Sequence, residues 1–112
     1  MKNKNIAASL LLACVLPATN VVAGDPAAGA EKAATCSACH GEDGLSQQVL
    51  TYPVLAGQYA SYLEHSLKSY RDGSRQNAIM AGFASQLSDE DIADLAAWFS
   101  SLPGPLQTAP IP

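Results

Sequence analysis

The chain has 112 residues, which is enough for one small domain, and ten carboxylates outnumber its six lysines and arginines. The resulting formal net charge of −4 argues against a nucleic-acid-binding protein, because an acidic surface repels phosphates. Small molecules and proteins with basic patches are the expected partners.

Residues 1–23 have the pattern of a cleaved secretory signal. Lys2 and Lys4 give a basic start, an apolar stretch follows, and Ala23 offers a small residue at the cleavage position. The apolar stretch is shorter than the ~20 residues that a membrane span needs. Cleavage after Ala23 would leave residues 24–112 with four cations against ten carboxylates, a formal charge of −6. We therefore expect export to the periplasm.

Cys14 introduces a second interpretation of this N-terminal region. Leu11-Leu12-Ala13-Cys14 partly resembles a lipoprotein cleavage site, at which the cysteine would be acylated and would anchor the chain to a membrane. The bulky Leu12 just ahead of the cleavage position and the continuing apolar run after Cys14 argue against lipidation. We interpret Cys14 as one more apolar residue of a discarded signal.

The exported region begins with a predicted helix and then a loop. Asp25 is typical of an N-cap and Pro26 of the first helical position, and residues 27–35 are rich in alanine. Gly29 weakens this helix by ~1 kcal/mol relative to alanine, a cost that the close approach of another helix would explain. Residues 41–57 show little periodicity and contain several glycines, which predicts a loop.

Residues 58–70 form the second predicted helix. Glu64 and Lys68 are spaced as an i,i+4 ion pair on one face. The other face carries the apolar and aromatic positions Tyr59, Tyr62, Leu63, Leu67 and Tyr70. Asp72-Gly73 stops the helix, and we expect residues 74–87 to be a second long loop.

The last predicted helix is the clearest element. Ser88 is its N-cap, and the acidic residues 89–91 favour the positive end of the helix dipole. The apolar stripe consists of Ile92, Leu95, Ala96, Phe99 and Leu102. Pro103 ends the helix, and we expect residues 103–112 to be a frayed tail.

These elements predict an all-α fold, since no stretch alternates like a strand for more than a few residues. Three or four short helices in residues 24–112 provide little material for a hydrophobic core. We therefore expect a further group to fill the middle of the domain.

Cys36-Ser37-Ala38-Cys39-His40 is the sequence that attaches covalent haem in c-type cytochromes. The thiols of Cys36 and Cys39 can each add to one vinyl group of the porphyrin, and the adjacent His40 then supplies an axial imidazole. A simple disulfide is the alternative in an oxidising compartment. A thioredoxin-type pair would need a βαβ context, and zinc would need four ligands, for which only His65 and carboxylates remain.

The sequence around this motif resembles that of class I cytochromes c, and most of all the single-haem relatives of the dihaem c-four cytochromes, often called c-553-like. The resemblance covers residues 24–102. The matching segments are Cys36–Gly41, Tyr52–Gln58, Tyr70–Arg75, Met80 and Leu87–Ile92. It implies a small class I cytochrome c fold of three to five short helices around one covalently attached haem c.

The resemblance also implies roles for individual residues. Pro53 would supply the carbonyl that orients the His40 ring, and Gly29 would lie where the first and last helices cross. The family favours an arginine near the haem propionates, where a guanidinium suits a carboxylate. The candidates for this haem environment are Tyr52, Tyr70, Arg71 and Arg75. A solvated loop edge is the alternative explanation for these side chains.

Met80 and His65 are the candidates for the second axial ligand of the iron. Met80 is the only methionine outside the signal, and the neighbouring Ala81 and Gly82 would permit close packing on a porphyrin. A lone methionine is ordinarily a core residue, and the family resemblance reverses that expectation in favour of ligation. His65 lies beside charged residues of the second helix, as a solvated histidine would.

We therefore predict a periplasmic electron carrier and not an enzyme. Two axial ligands leave no open position for a substrate, and no nucleophile or acid–base pair stands out in the sequence. The partners would be redox proteins, namely a membrane or periplasmic reductase and a terminal oxidase or reductase. The alternatives are a haem c subunit of a periplasmic dehydrogenase complex, for example in sulfur-compound oxidation, and a haem with an open sixth position.

Overall fold

The computed structural model describes residues 23–107. The predicted secretory signal, apart from Ala23, lies outside these residues, and so does Cys14. The end of the predicted tail, residues 108–112, also lies outside them.

The described residues contain five helices and no strands. This confirms the predicted all-α fold. The helices are α1 (Pro26–Lys32), α2 (Ala34–His40), α3 (Ala60–Asp72), α4 (Ala78–Ala84) and α5 (Asp89–Ser101). Between residues 23 and 107, no helix is long and apolar enough to cross a membrane.

The predicted first helix extends through the cysteine motif. Helix α1 ends at Lys32, Ala33 keeps a helical conformation, and α2 continues to His40. Gly41 then ends α2 with a φ of +85°, a value that side chains rarely permit. The cysteine motif is therefore itself helical, and its two cysteines lie one turn apart.

The prediction of an unbroken loop over residues 74–87 is wrong, because this segment contains the seven-residue helix α4. Asn77 caps the helix: its side-chain oxygen accepts hydrogen bonds from the backbone amides of Ile79 and Met80, each at 3.1 Å. Seven residues are too few for a periodic apolar stripe to stand out in a sequence.

Helix α5 is the central element of the fold. At its start the Asp91 amide donates to the Ser88 hydroxyl, and the Ser88 amide donates to the Asp91 carboxylate, both at 3.0 Å. Its buried face packs against α1 and α3. The core cluster consists of Ala33, Leu63, Leu95, Ala96 and Phe99.

Helices α1 and α5 cross at a buried glycine. A Cβ at Gly29 would lie 2.0 Å from the Asp94 carbonyl oxygen and 2.8 Å from the Trp98 Cβ. Only the absence of a side chain allows the two backbones to approach this closely. The expectation that Gly29 lies where the first and last helices cross is confirmed.

A buried carboxylate joins the same two helices. Asp94 is 4% exposed and accepts hydrogen bonds from Lys32 Nζ at 2.6 Å and from the Asp25 amide at 2.8 Å. Lys32 Nζ also lies 2.9 Å from the Asp91 carboxylate. The hydrogen bonds from Lys32 lower the pKa of Asp94, and they lower the pKa of Asp91 to about 2.

The segment after α5, which the sequence predicts to fray, packs against the loop before α3 over residues 103–107. A Cβ on Gly104 would lie 2.5 Å from the Ala56 carbonyl oxygen, and one on Gly57 would lie 2.6 Å from Gln107 Cγ. The Gln107 amide donates to the Gly104 carbonyl at 3.2 Å. These contacts make residues 103–107 a turn fixed to the domain, which we call the C-terminal strap.

Gly29→Ala should destabilise the protein by about 1–3 kcal/mol or more, as overpacking does, because the added methyl would meet the backbone of α5. Helix propensity alone would favour the alanine by ~1 kcal/mol, so any loss of stability comes from packing. Gly82→Ala in α4 is the matched control, since apart from its chain neighbours and the backbone of its own helix nothing lies within 4 Å of an added Cβ. Chemical denaturation compares the two, and a stabilised Gly29→Ala protein would contradict the close crossing.

Acid should weaken the fold through the carboxylates that Lys32 binds. The folded-state pKa of Asp91 is about 2 against an ordinary 3.8, so between these pH values the unfolded chain binds more protons. The stability contributed by this ion pair is complete above about pH 4 and is lost as the pH falls toward 2. Asp91→Asn should flatten that decline in the free energy of unfolding. Glu90→Gln, which removes the exposed neighbouring carboxylate, is the control and should leave the decline in place.

Candidate functional site

Helix α2 presents the side chains of the cysteine motif to one cavity. Cys36, Cys39 and His40 all line it. The two cysteines are free thiols in half-buried positions. Burial raises the pKa of the Cys36 thiol, so this sulfur is protonated at neutral pH. Two free thiols one helical turn apart are therefore available for covalent attachment of a ligand.

The loop after α2 fixes the imidazole of His40. This side chain is 6% exposed, and its Nδ1 lies 2.8 Å from the Pro53 carbonyl oxygen. A carbonyl oxygen can only accept, so Nδ1 carries the proton and Nε2 keeps the lone pair that a metal requires. The Ser46 amide donates to the His40 carbonyl at 2.9 Å. The Tyr52 ring packs edge-on against the imidazole, with 6.5 Å between the two ring centres.

Helix α4 brings Met80 to the same cavity. The Met80 amide donates to the Asn77 side chain at 3.1 Å, which holds this residue in the first turn of the helix. Ile79 and Phe83 from α4 line the cavity beside it. The helix that sequence periodicity does not reveal is thus the element that positions the predicted second axial ligand.

The cavity has a volume of about 590 Å³, within the ~300–1,000 Å³ typical of ligand and cofactor pockets. Its walls come from four helices, the loops between them and the segment after α5. Its apolar lining includes Val54, Leu55, Leu63, Leu67, Leu95 and Phe99. Among the described residues that line it there is no carboxylate, and Arg75 is the only lysine or arginine.

Two of the four candidates for the propionate environment interact directly. The Arg75 guanidinium carbon lies 4.7 Å from the centre of the Tyr70 ring, and its Nη1 donates to Ser66 Oγ at 3.2 Å. Tyr70 and Arg75, like Tyr52, line the cavity. These contacts place a guanidinium at the cavity wall.

Arg71 has other partners. Its guanidinium donates to the Leu87 carbonyl at 2.9 Å and forms an ion pair with Asp89. The Arg71 hydrogen bond lowers the pKa of Asp89. Arg71 is not among the cavity-lining residues, so it ties α3 to the start of α5. Of the two arginines that the sequence leaves open, Arg75 is the one at the cavity.

His65, the alternative axial ligand, is exposed on α3 and is not among the residues that line the cavity. The predicted ion pair on this helix is present, with Lys68 Nζ 3.6 Å from Glu64. The described residues contain no cluster of three or more His, Cys, Asp or Glu side chains that could hold a metal ion. The zinc alternative therefore gains no support.

The cavity residues that sequence reasoning misses include four large apolar ones, Val49, Ile79, Phe83 and Leu106. Each is a large apolar side chain with substantial exposure, in a segment that the sequence predicts to be loop or tail. For Val49 and Leu106 the available signal was an apolar side chain in a polar or proline-rich segment, whereas Ile79 and Phe83 lie in the uniformly apolar stretch of α4. Their common position becomes visible only when the chain is folded.

The residues present fit a covalently attached haem. Two thiols one helical turn apart, an imidazole with Nε2 available and a thioether face one apolar cavity. Cys36 and Cys39 would form the thioether bonds, and His40 would bind iron. The two thiols and the adjacent imidazole are the set that covalent attachment of c-type haem requires, and a methionine thioether is a known second axial ligand.

Comparison with known proteins agrees with this geometry. The family model described as Cytochrome c matches residues 26–103. Cytochrome c-554(548) of Halomonas halodenitrificans is 56% identical over 82 residues, which cover 70% of this chain and 98% of the relative. The thiosulfate dehydrogenase electron acceptor of Thiomonas intermedia is 41% identical over 86 residues, covering 77% of this chain and 40% of that protein.

A crystal structure of reduced recombinant cytochrome c4 from Pseudomonas stutzeri superimposes with a TM-score of 0.68 and 43% identity, covering 73% of this chain and 47% of that one. The chain thus spans about half the length of the last two proteins and nearly all of the first. The predicted resemblance to single-domain relatives of the c4 cytochromes is confirmed, and family membership implies covalently bound haem c. This chain belongs to the cytochrome c family of electron carriers.

Proposed function

We propose that this chain is a periplasmic one-electron carrier that holds a single haem c through Cys36 and Cys39, with His40 and Met80 as axial ligands. One observation carries the proposal. All four side chains line the same apolar cavity, although Met80 is forty positions beyond His40 in the sequence. The cavity is the shared site that these four residue types need.

Haem supplies an iron that alternates between the ferrous and ferric states. The protein residues would keep the iron ligands in the same positions in both oxidation states. The Pro53 carbonyl fixes His40, and the Asn77 cap fixes the backbone of Met80, so neither ligand has to reorganise. His40 and Met80 would together hold the iron and would leave it no coordination position for a substrate. A thioether ligand and an apolar lining both favour the ferrous state.

The carboxylates lie away from the cavity, which suits contact with a protein partner. Arg71 pairs with Asp89, and Lys32 pairs with both Asp91 and Asp94. Glu42 and Asp43 are exposed on the loop after α2. We infer that the apolar cavity mouth makes the contact with redox partners, while the excess acidic charge attracts partners with a basic face.

A second candidate function is that of a haem subunit or acceptor for a periplasmic dehydrogenase. The observation that favours it is the 41% identity to a thiosulfate dehydrogenase electron acceptor. Purification from the native cell distinguishes the two. A stable complex with a dehydrogenase would support the subunit, and a protein that purifies alone and exchanges electrons with several partners would support the free carrier.

The haem should stay with the polypeptide in acid–acetone, because thioether bonds survive where axial bonds break. Mass spectrometry of the periplasmic fraction should give the chain from Gly24 plus one haem. Cys36→Ala with Cys39→Ala should leave the haem extractable, whereas Ser37→Ala between them should not. Extractable haem in the unaltered protein would contradict the covalent site. A diacylated Cys14 terminus would contradict only the predicted cleavage after Ala23.

Met80→Ala should abolish the weak near-red absorption band of sulfur-ligated ferric haem and lower the reduction potential, since the thioether favours ferrous iron. His65→Ala is the control and should leave the band and the potential unchanged, because His65 is exposed on α3. If His65→Ala loses the low-spin spectrum and Met80→Ala keeps it, then His65, and not Met80, is the second axial ligand.

Electron transfer to a basic test cytochrome should slow as salt rises, and transfer to an acidic one should quicken. The Debye length shrinks from ~30 Å at 0.01 M to ~10 Å at 0.1 M, so salt screens both the attraction and the repulsion. Stopped-flow measurement of the two second-order rate constants over that range is the test. Flat profiles for both partners would show that apolar contact alone selects the partner.

A further inference from the structure

The C-terminal strap, residues 103–107, follows the last helix and contributes a residue to the wall of the haem cavity. The family match ends at residue 103, yet Leu106 lines the cavity. Leu106 therefore adds an apolar side chain to the cavity wall from a segment that lies beyond the last helix.

The strap is held in place by backbone contacts at two points. Gly104 lies so close to Ala56 that an added Cβ would be 2.5 Å from its carbonyl oxygen, and Gly57 lies equally close to Gln107. Gly57 has a φ of +78°, and its amide donates to the Phe99 carbonyl at 3.0 Å. The strap is therefore fixed to the same turn that α5 holds.

The sequence of the strap limits its freedom to move away. Pro103 and Pro105 each fix one φ angle near −65°, which reduces the number of conformations that an open strap could adopt. The hydrogen bond from the Gln107 amide to the Gly104 carbonyl closes the turn between them. Leu106 lies inside this closed turn, so its position is determined by the contacts of its neighbours.

We propose that Leu106 is a positioning residue that seals one edge of the haem cavity against water and thereby raises the reduction potential. The inference rests on the haem site proposed above. Oxidation adds one positive charge at the iron, and water near the haem stabilises that charge, whereas an apolar side chain in its place does not. Excluding water at this edge favours the ferrous state.

The test compares the midpoint potentials of the holoproteins Leu106→Ala, Leu106→Ser and Leu106→Met. Leu106→Ala should lower the potential because it opens the edge to water, and Leu106→Ser should lower it further because its hydroxyl attracts water. Leu106→Met restores an apolar side chain of similar size and should restore the potential. Leu50→Ala is the matched control, since Leu50 is fully exposed and is not among the cavity-lining residues.

A second variant tests the strap without altering Leu106. Gly104→Ala should shift the strap away from Ala56, because the added methyl would meet backbone, and should also lower the potential. An unchanged potential in folded Leu106→Ala, Leu106→Ser or Gly104→Ala would overturn the proposal. The near-red band of the ferric protein separates the two proposals. If the variants keep the near-red band and their potential is unchanged, the sealing role of Leu106 is rejected and Met80 ligation stands. If the unaltered holoprotein lacks the band, the Met80 ligation proposed above is rejected.

Discussion

The close crossing of α1 and α5 at Gly29 is the contact on which the rest of this structure depends. Helix α2 follows α1 with one intervening residue, so the position of α1 on α5 sets the position of Cys36, Cys39 and His40. Helix α5 also supplies Leu95 and Phe99 to the cavity wall. One glycine, at which two backbones touch, thus fixes both the attachment helix and the wall that it faces.

The Lys32 ion pairs act on the same crossing. Packing at Gly29 determines how closely the helices approach, and the bonds from Lys32 to Asp94 and Asp91 oppose sliding of one helix along the other. Asp94 also accepts from the Asp25 amide at the start of α1. A carboxylate this buried would be costly without partners. Its two hydrogen-bond partners, Lys32 and the Asp25 amide, explain why a charged residue is tolerated in the apolar face of α5.

Features encoded by neighbouring residues could be predicted from the sequence, and features that depend on distant contacts could not. The haem motif and the capping box of α5 each occupy a few consecutive residues, so their chemistry is visible directly. Which of Arg71 and Arg75 lies at the cavity could not be predicted in this way. It depends on Asp89 and the Leu87 carbonyl, which are distant in sequence and bind Arg71. Helix α4 was missed because it is short, and Leu106 because nothing near it in sequence indicates what its turn packs against.

The composition of the core explains why the cavity and the fold belong together. Most of the core side chains are small, and Ile92 is the largest one that is fully buried. A cavity of about 590 Å³ lies beside this thin core, and its lining residues come from every helix except α1. A small domain buries a smaller fraction of its surface than a large one, and its stability is correspondingly marginal. The apolar faces of a bound haem would therefore complete the core, and the residues proposed to tune the reduction potential would also contribute to holding the helices together.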